Sequence, residues 1–333
     1  MSGMHALRRA VSGRRRTAGV QLRIRRFGLL PAGVAVLVAL TAGESQRPAA
    51  AVAFRVAPGV GQRASRSRGP AHPAAPGRVE LLRLPSGDAD GAAREVWVYR
   101  PPGADRADVP VLYFLHGYPG GDRNGESIGL PAVLDDAIAA TGRSFVVALP
   151  DGASTIHPDT EWADSVDGKV RLERFVTTTV IRAVEGSHRR DRRHRAIAGF
   201  SMGGYGAMNV GLRHSGLYGQ VVSIAGYFHP DDPDRMGGGR ASWAVANSPD
   251  RLLGRAWRSR LLLVDDARER DPLIKGEAAR FAGLARAVGL RPTVVVAPGA
   301  HNWPMVANQV PTVARFLAAG WPRSGRSTSP RRR

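Results

Sequence analysis

Residues 194–208 read HRAIAGFSMGGYGAM and place Ser201 inside Gly199-Phe200-Ser201-Met202-Gly203. A G-x-S-x-G run between an apolar strand and the start of a helix is the setting of a nucleophile elbow. The turn is so sharp that the positions two before and two after the serine have no room for a side chain. Gly199 and Gly203 meet that demand. Ser201 Oγ then projects above the first turn of a helix, where free backbone N–H groups favour developing negative charge. The chemistry that follows is attack on a carbonyl carbon.

A serine hydroxyl does this only when a base takes its proton and a carboxylate orients the base. Of nine histidines, His301 alone sits just past the final apolar strand, in Pro298-Gly299-Ala300-His301-Asn302-Trp303. From a loop there the imidazole can reach back to Ser201. The acid is expected after the strand at 261–264, where Asp265, Asp266, Glu269 and Asp271 compete. Asp265 and Asp266 can finish the strand or pair with Arg268 and Arg270. Asp271, in Asp-Pro-Leu-Ile at a helix entrance, lies on a loop free to turn toward His301 and is the favoured choice. Two backbone N–H groups must hold the oxyanion. One is expected from Met202, the residue after the nucleophile. The other is expected from Tyr118, in Leu115-His116-Gly117-Tyr118-Pro119-Gly120-Gly121, the loop after an apolar strand.

The elements that position these groups alternate between the two periods. Strands are expected at 94–99, 109–115, 145–149, 196–198, 220–225, 261–264 and 293–297; helices at 130–140, 172–185, 275–288 and 304–319, with another leaving the elbow. Alternating strands and helices argue for an α/β architecture with a mainly parallel sheet. Two segments are read as carrying no chemistry. Arg189–Arg195 is expected to be a solvated connection, and Asp231, Asp232 and Asp234 a solvated loop, made mobile by Gly237-Gly238-Gly239 and bordering the acyl pocket as a flap.

The 333 residues carry a net charge of +20, but most of the excess arginine lies in the two ends, so the charge says little about the folded body. No aromatic interleaving or DNA-binding motif accompanies it, and no nucleic-acid partner is expected. With no cysteine, disulfides, zinc-thiolate sites and cysteine nucleophiles are excluded. Gly120-Gly121-Asp122-Arg123-Asn124-Gly125 lacks the ending of a phosphate loop. Neither a cofactor nor a metal is expected. An arginine-rich start followed by the apolar stretch 27–42 reads as a signal peptide or signal anchor over 1–43, which if uncleaved would hold the chain in a membrane. A Pro/Ala/Arg-rich disordered linker is expected over 44–77, the catalytic domain over 78–321 and a disordered basic tail over 322–333.

Leu115-His116-Gly117, Asp164-Ser165, the run from Gly199 to Ala207 and Gly299-Ala300-His301-Asn302-Trp303 resemble the bacterial putative-esterase family, which includes esterase D, feruloyl esterases and the mycolyltransferases of the mycobacterial envelope. The resemblance covers residues 94–318, and Ser-Met-Gly-Gly-Tyr-Gly is its most specific part. It implies an α/β-hydrolase fold without a large cap, a Ser-acid-His triad, and ester cleavage or acyl transfer. Asp271 followed by Leu273-Ile274 is similar to the family's acid loop. The mycolyltransferases have an aspartate where His116 stands and an arginine where Pro119 stands, both serving a sugar site. Their absence argues for water as the acceptor. The expectation is therefore an exported serine esterase acting on a small-molecule or glycan ester through an acyl-enzyme. The rivals are acyl transfer to a cell-envelope sugar and a non-catalytic envelope-binding module.

Overall fold

Val111–Leu115 (VLYFL) and Val146–Pro150 (VVALP) carry no polar group but the Tyr113 hydroxyl, and every residue in both is buried. Strands of that kind belong in the middle of a sheet covered on both faces. A computed structural model describes residues 75–256 and 259–323, all within the unit Ser67–Arg333. The expected signal segment lies outside the described residues, as do the linker up to residue 74 and the tail beyond residue 323. Among the described residues no helix is long and apolar enough to cross a membrane.

Eight strands form one sheet: β1 (Arg78–Pro85), β2 (Ala93–Arg100), β3 (Val111–Leu115), β4 (Val146–Pro150), β5 (Arg195–Phe200), β6 (Gln220–Ile224), β7 (Arg260–Asp266) and β8 (Thr293–Ala297). Their spatial order is β1-β2-β4-β3-β5-β6-β7-β8. The β1–β2 and β2–β4 pairings are antiparallel; every pairing from β4 to β8 is parallel. The five principal helices are α1 (Leu130–Thr141), α2 (residues 172–185, widened to a π-type turn over Phe175–Val180), α3 (Met202–Arg213), α4 (Glu277–Ala287) and α5 (Trp303–Gly320). This is the α/β-hydrolase fold, a mostly parallel sheet flanked by helices.

Strand alternation builds two cores. Val111, Tyr113 and Leu115 face one way and pack with α2, most of α3, and Phe281 and Ala282 of α4. Leu112 and Phe114 face the other way, toward Leu130 and Leu134 of α1 and Val306, Val313 and Leu317 of α5. Both layers of helices therefore clamp the same central strands, and the C-terminal ends of β3, β5, β7 and β8 are left to carry loops. In parallel sheets that edge is where ligands bind.

Three expectations change. The strand β1 was not read, because Val79 and Leu81 are each 44% exposed and its pattern lacks a clean apolar face. Arg189–Arg195 is not merely a solvated connection. Buried Arg190 donates to the carbonyls of Val109, Ala104 and Arg106, and Arg195 forms a two-pronged pair with buried Glu185 at 2.6 and 2.8 Å. Glu185 also accepts from Tyr113 Oη and the Arg190 N–H, so the ion pair has every strong partner it needs. The 231–239 segment is not a loose flap either. Pro233–Gly237 is helical, Asp232 accepts from the N–H groups of Asp234 and Arg235, and Arg235 pairs with Asp159 at 3.3 Å.

Candidate active site

The glycines around Ser201 are required by contact. A Cβ on Gly199 would collide with the Gly203 carbonyl, and one on Gly203 with the Leu115 carbonyl. Ser201 itself has φ 57° and ψ −122°, a conformation that costs a non-glycine residue and marks a constrained turn. Its N–H donates to the Ile224 carbonyl at 2.9 Å and its carbonyl accepts from Tyr205, which lock the turn between β6 and α3. The hydroxyl does not cap α3 and has no hydrogen-bond partner among the described residues.

His301 arrives on the loop after β8. Gly299 there has φ 153°, and a Cβ on it would press on Met305 Cγ. Asn302 caps α5 by accepting from the Met305 N–H at 3.0 Å, which fixes where the loop ends. The imidazole lies against the ring of Phe200, the residue before the serine, with centroids 4.6 Å apart. Trp303 closes the same aromatic group, 5.7 Å from Phe200. The structure thus brings His301 to the elbow through Phe200, while a Ser201–His301 hydrogen bond is not formed. Such bonds commonly tighten only when substrate is bound.

The carboxylate partner of His301 is Glu269, not Asp271. Glu269 Oε2 lies 2.6 Å from His301 Nδ1, and Oε1 accepts from the N–H groups of Arg270 and Asp271 at 2.8 and 2.9 Å. Burial alone would raise the Glu269 carboxyl, but the Asp271 N–H and the adjacent imidazole outweigh it and hold the group below its ordinary value. The side chain is 5% exposed, so the pair is shielded on the acid side. Asp271 is exposed, and its carboxylate accepts from the Leu273 N–H at 3.0 Å, opening the short turn that leads to α4. Both carboxylates accept from their own loop, but Glu269 does so through Oε1 alone and turns Oε2 to the imidazole, whereas Asp271 is exposed.

The two expected oxyanion donors face one cleft. Tyr118 and Met202 both line a cleft of about 180 Å³, with Pro119, Gly152 and Ser154 on its walls. Neither backbone N–H is engaged by another group among the described residues. Gly117 passes so close to the elbow that a Cβ on it would meet Ser201 Cβ at 3.0 Å.

His116, to which the sequence assigned no role of its own, sets this loop. It is buried, and its ring sits 4.9 Å from that of Trp162, whose Nε1–H donates to the His116 carbonyl. The Gly152 N–H donates to His116 Nε2 at 2.8 Å, so Nε2 carries the lone pair and Nδ1 the proton. Nδ1–H then donates to the Gly117 carbonyl at 2.8 Å. In a trans peptide the carbonyl and the following N–H point opposite ways. Holding the Gly117 carbonyl toward His116 therefore turns the Tyr118 N–H away from it, toward the cleft. A histidine directly before the glycine of the loop was the available signal.

A second missed feature is the strained pair Glu161 and Trp162, with φ 48° and 54°. Gly206 in α3 and Gly152 leave room for the Trp162 ring, so the strain seats an indole between the elbow helix and the cleft wall. Glu161 accepts from the Asp231 N–H at 2.6 Å through Oε1, while Oε2 is buried without a partner. Burial pushes its carboxyl up to about 8.

Comparison with known proteins bears on this constellation. The family model described as Putative esterase matches residues 89–275, more than half of the chain. An S-formylglutathione hydrolase of Paracoccus denitrificans is 23% identical over 226 residues, 63% of this chain and 78% of that one. Esterase Rv1288 of Mycobacterium tuberculosis is 28% identical over 145 residues; the match takes in 42% of this chain and only 29% of that protein. Among solved structures, a ferulic acid esterase superposes with a TM-score of 0.64 at 22% identity, covering 74% of this chain and 99% of that one. At that identity the likeness shows the fold.

Proposed function

The chain belongs to the putative esterase family, and from that premise we propose that it is an exported serine esterase that cleaves carboxylic esters through a Ser201–His301–Glu269 triad. The observation that carries the reading is the 2.6 Å contact of Glu269 with His301, on an imidazole packed at a tilt against the residue that precedes a strained serine between Gly199 and Gly203. In the reaction His301 Nε2 takes the Ser201 proton as Oγ attacks the ester carbonyl. Glu269 holds Nδ1 protonated, which fixes the tautomer and stabilises the imidazolium. The Tyr118 and Met202 N–H groups bind the oxyanion. The alcohol leaves with the proton from His301, an acyl-enzyme remains, and water activated by the same imidazole releases the acid.

Water is the proposed acceptor, because His116, at the position the sequence reading compared with a sugar-binding aspartate, is buried and committed to backbone partners. Export rests on the arginine-rich start and the apolar stretch at 27–42. Small-molecule esters, including aryl and thiol esters, suit an uncapped cleft of this size.

The test is Ser201→Ala. The variant should lose fluorophosphonate labelling and fall at least about 10⁴-fold in p-nitrophenyl-ester turnover. Labelling or turnover that survives the change would sink the assignment.

A further inference from the structure

The end of β7 and the loop after it carry four carboxylates, Asp265, Asp266, Glu269 and Asp271, where a triad needs one. Asp266 ends β7 and is 5% exposed. Its Oδ1 accepts from the Arg268 N–H at 2.8 Å, whereas Oδ2 is shut off from solvent without a hydrogen-bond partner. An orphaned buried carboxylate oxygen is costly and calls for an explanation. One ligand-capable atom from each of Asp266, Glu269 and His301 lies within 4.8 Å of the other two.

Zinc bound tetrahedrally at about 2.0–2.2 Å holds its ligand atoms about 3.4 Å apart, so the wider separations, all within 4.8 Å, would close by at most about 1.4 Å while the 2.6 Å Glu269–His301 edge opens by about 0.8 Å as the ion replaces its proton. One imidazole with two carboxylates suits a transition ion with an open position; calcium and magnesium ask for six or more oxygens. The His301 side chain is 30% exposed, which provides an entry path and room for a water as fourth ligand.

We propose that Asp266, Glu269 and His301 bind Zn²⁺, or a divalent ion of the same character, and that the bound ion switches the enzyme off. The consequence for activity rests on the reading of His301 as the base; the binding does not. In the working pair Nδ1 carries the proton that faces Glu269. On metal binding the Nδ1–H bond breaks, a Zn–Nδ1 bond forms, and the proton ends on Nε2. Charge balances, with the dication set against two carboxylates. An Nε2 that already bears a proton has no lone pair with which to accept one from Ser201, so the ion traps the unproductive tautomer.

The test uses the full chain stripped with EDTA, titrated with ZnCl₂ in a calorimeter and with Co²⁺ in a visible spectrophotometer. One ion per chain should bind, and Co²⁺ should show the intense visible absorption of a low-coordinate site. Asp266→Asn should weaken binding at least tenfold, and Glu269→Gln should do the same should the first variant not fold. Asp271→Asn and Ser201→Ala should bind as the parent does. Zn²⁺ should abolish ester turnover in the parent, reversibly with EDTA, and at least ten times more metal should be needed in Asp266→Asn. No binding by the parent, or unchanged binding in both Asp266→Asn and Glu269→Gln, overturns the site. Full turnover with the site saturated overturns the switch. A chain that binds metal with this mutational pattern but never turns over ester supports the site and refutes the esterase reading instead.

Discussion

The two halves of the candidate site are built in opposite ways. The elbow half is fixed by backbone: glycines pressed against carbonyls at Gly199 and Gly203, a strained Ser201, and the facing loop at 115–121, proposed to hold the oxyanion, braced by the buried His116. The acid half is fixed by side chains on loops: Glu269 reaching an exposed His301, with unused carboxylates on either side of it. Steric exclusion admits one arrangement and one residue type per position. A side-chain contact between loops admits any carboxylate of the right reach. The first kind of construction is intolerant of substitution, and the second can drift along its loop without loss of chemistry.

Three experiments break or sharpen that contrast. The largest effect should come from the acid half. Glu269→Gln should cost about 10⁴ in kcat by releasing the imidazole tautomer, while Asp271→Asn should stay within about threefold. Ester kinetics on the two variants decide which carboxylate serves, and small losses in both would show that the loop exchanges acids. His116→Ala comes next. It removes the donor to the Gly117 carbonyl and frees the Gly117–Tyr118 peptide to rotate, so kcat should fall roughly 10²-fold with KM little changed. Circular dichroism melting alongside would separate this from loss of fold, and a change confined to KM would remove His116 from the oxyanion account.

The smallest effect lies in stability. The Glu161 carboxyl is raised in the folded chain, to about 8, by burial first and by the nearby Asp159 and Asp231 charges. A folded state that holds a proton the unfolded chain has already released loses stability as pH climbs from the ordinary carboxylate value toward 8. Glu161→Gln cannot titrate. Its melting temperature relative to the parent should therefore rise between pH 5 and pH 8.5, with each kcal/mol regained worth roughly 2–4 °C. A gap independent of pH would mean that Glu161 is ionised throughout.

Buried Glu185 makes the opposite case. Paired with Arg195 and hydrogen-bonded to Tyr113, it has its charge satisfied where Glu161 leaves an oxygen orphaned. The sequence reading missed both for one reason. Burial of a charge is a property of what packs around it, and Arg190 and Arg195 look like any solvated run when read along the chain. The central strands were legible because burial on both faces leaves them mostly apolar, in short runs such as VVALP and VLYFL. The exposed edge strand β1 was not, because its alternation is incomplete.

From residue types alone followed the elbow, its serine, the histidine past the last strand, the loop at 115–121 that meets the elbow across one cleft, and the order of strands and helices. Each of these is set by near-neighbour sterics or by hydrophobic period, which the chain carries locally. Tertiary packing alone set Glu269 rather than Asp271 against His301, made His116 the strut of the loop at 115–121, and left Asp266 and Glu161 with unpartnered oxygens. Those outcomes depend on distances between loops far apart in the chain, and such distances exist only once the sheet has assembled and the helices have closed over it.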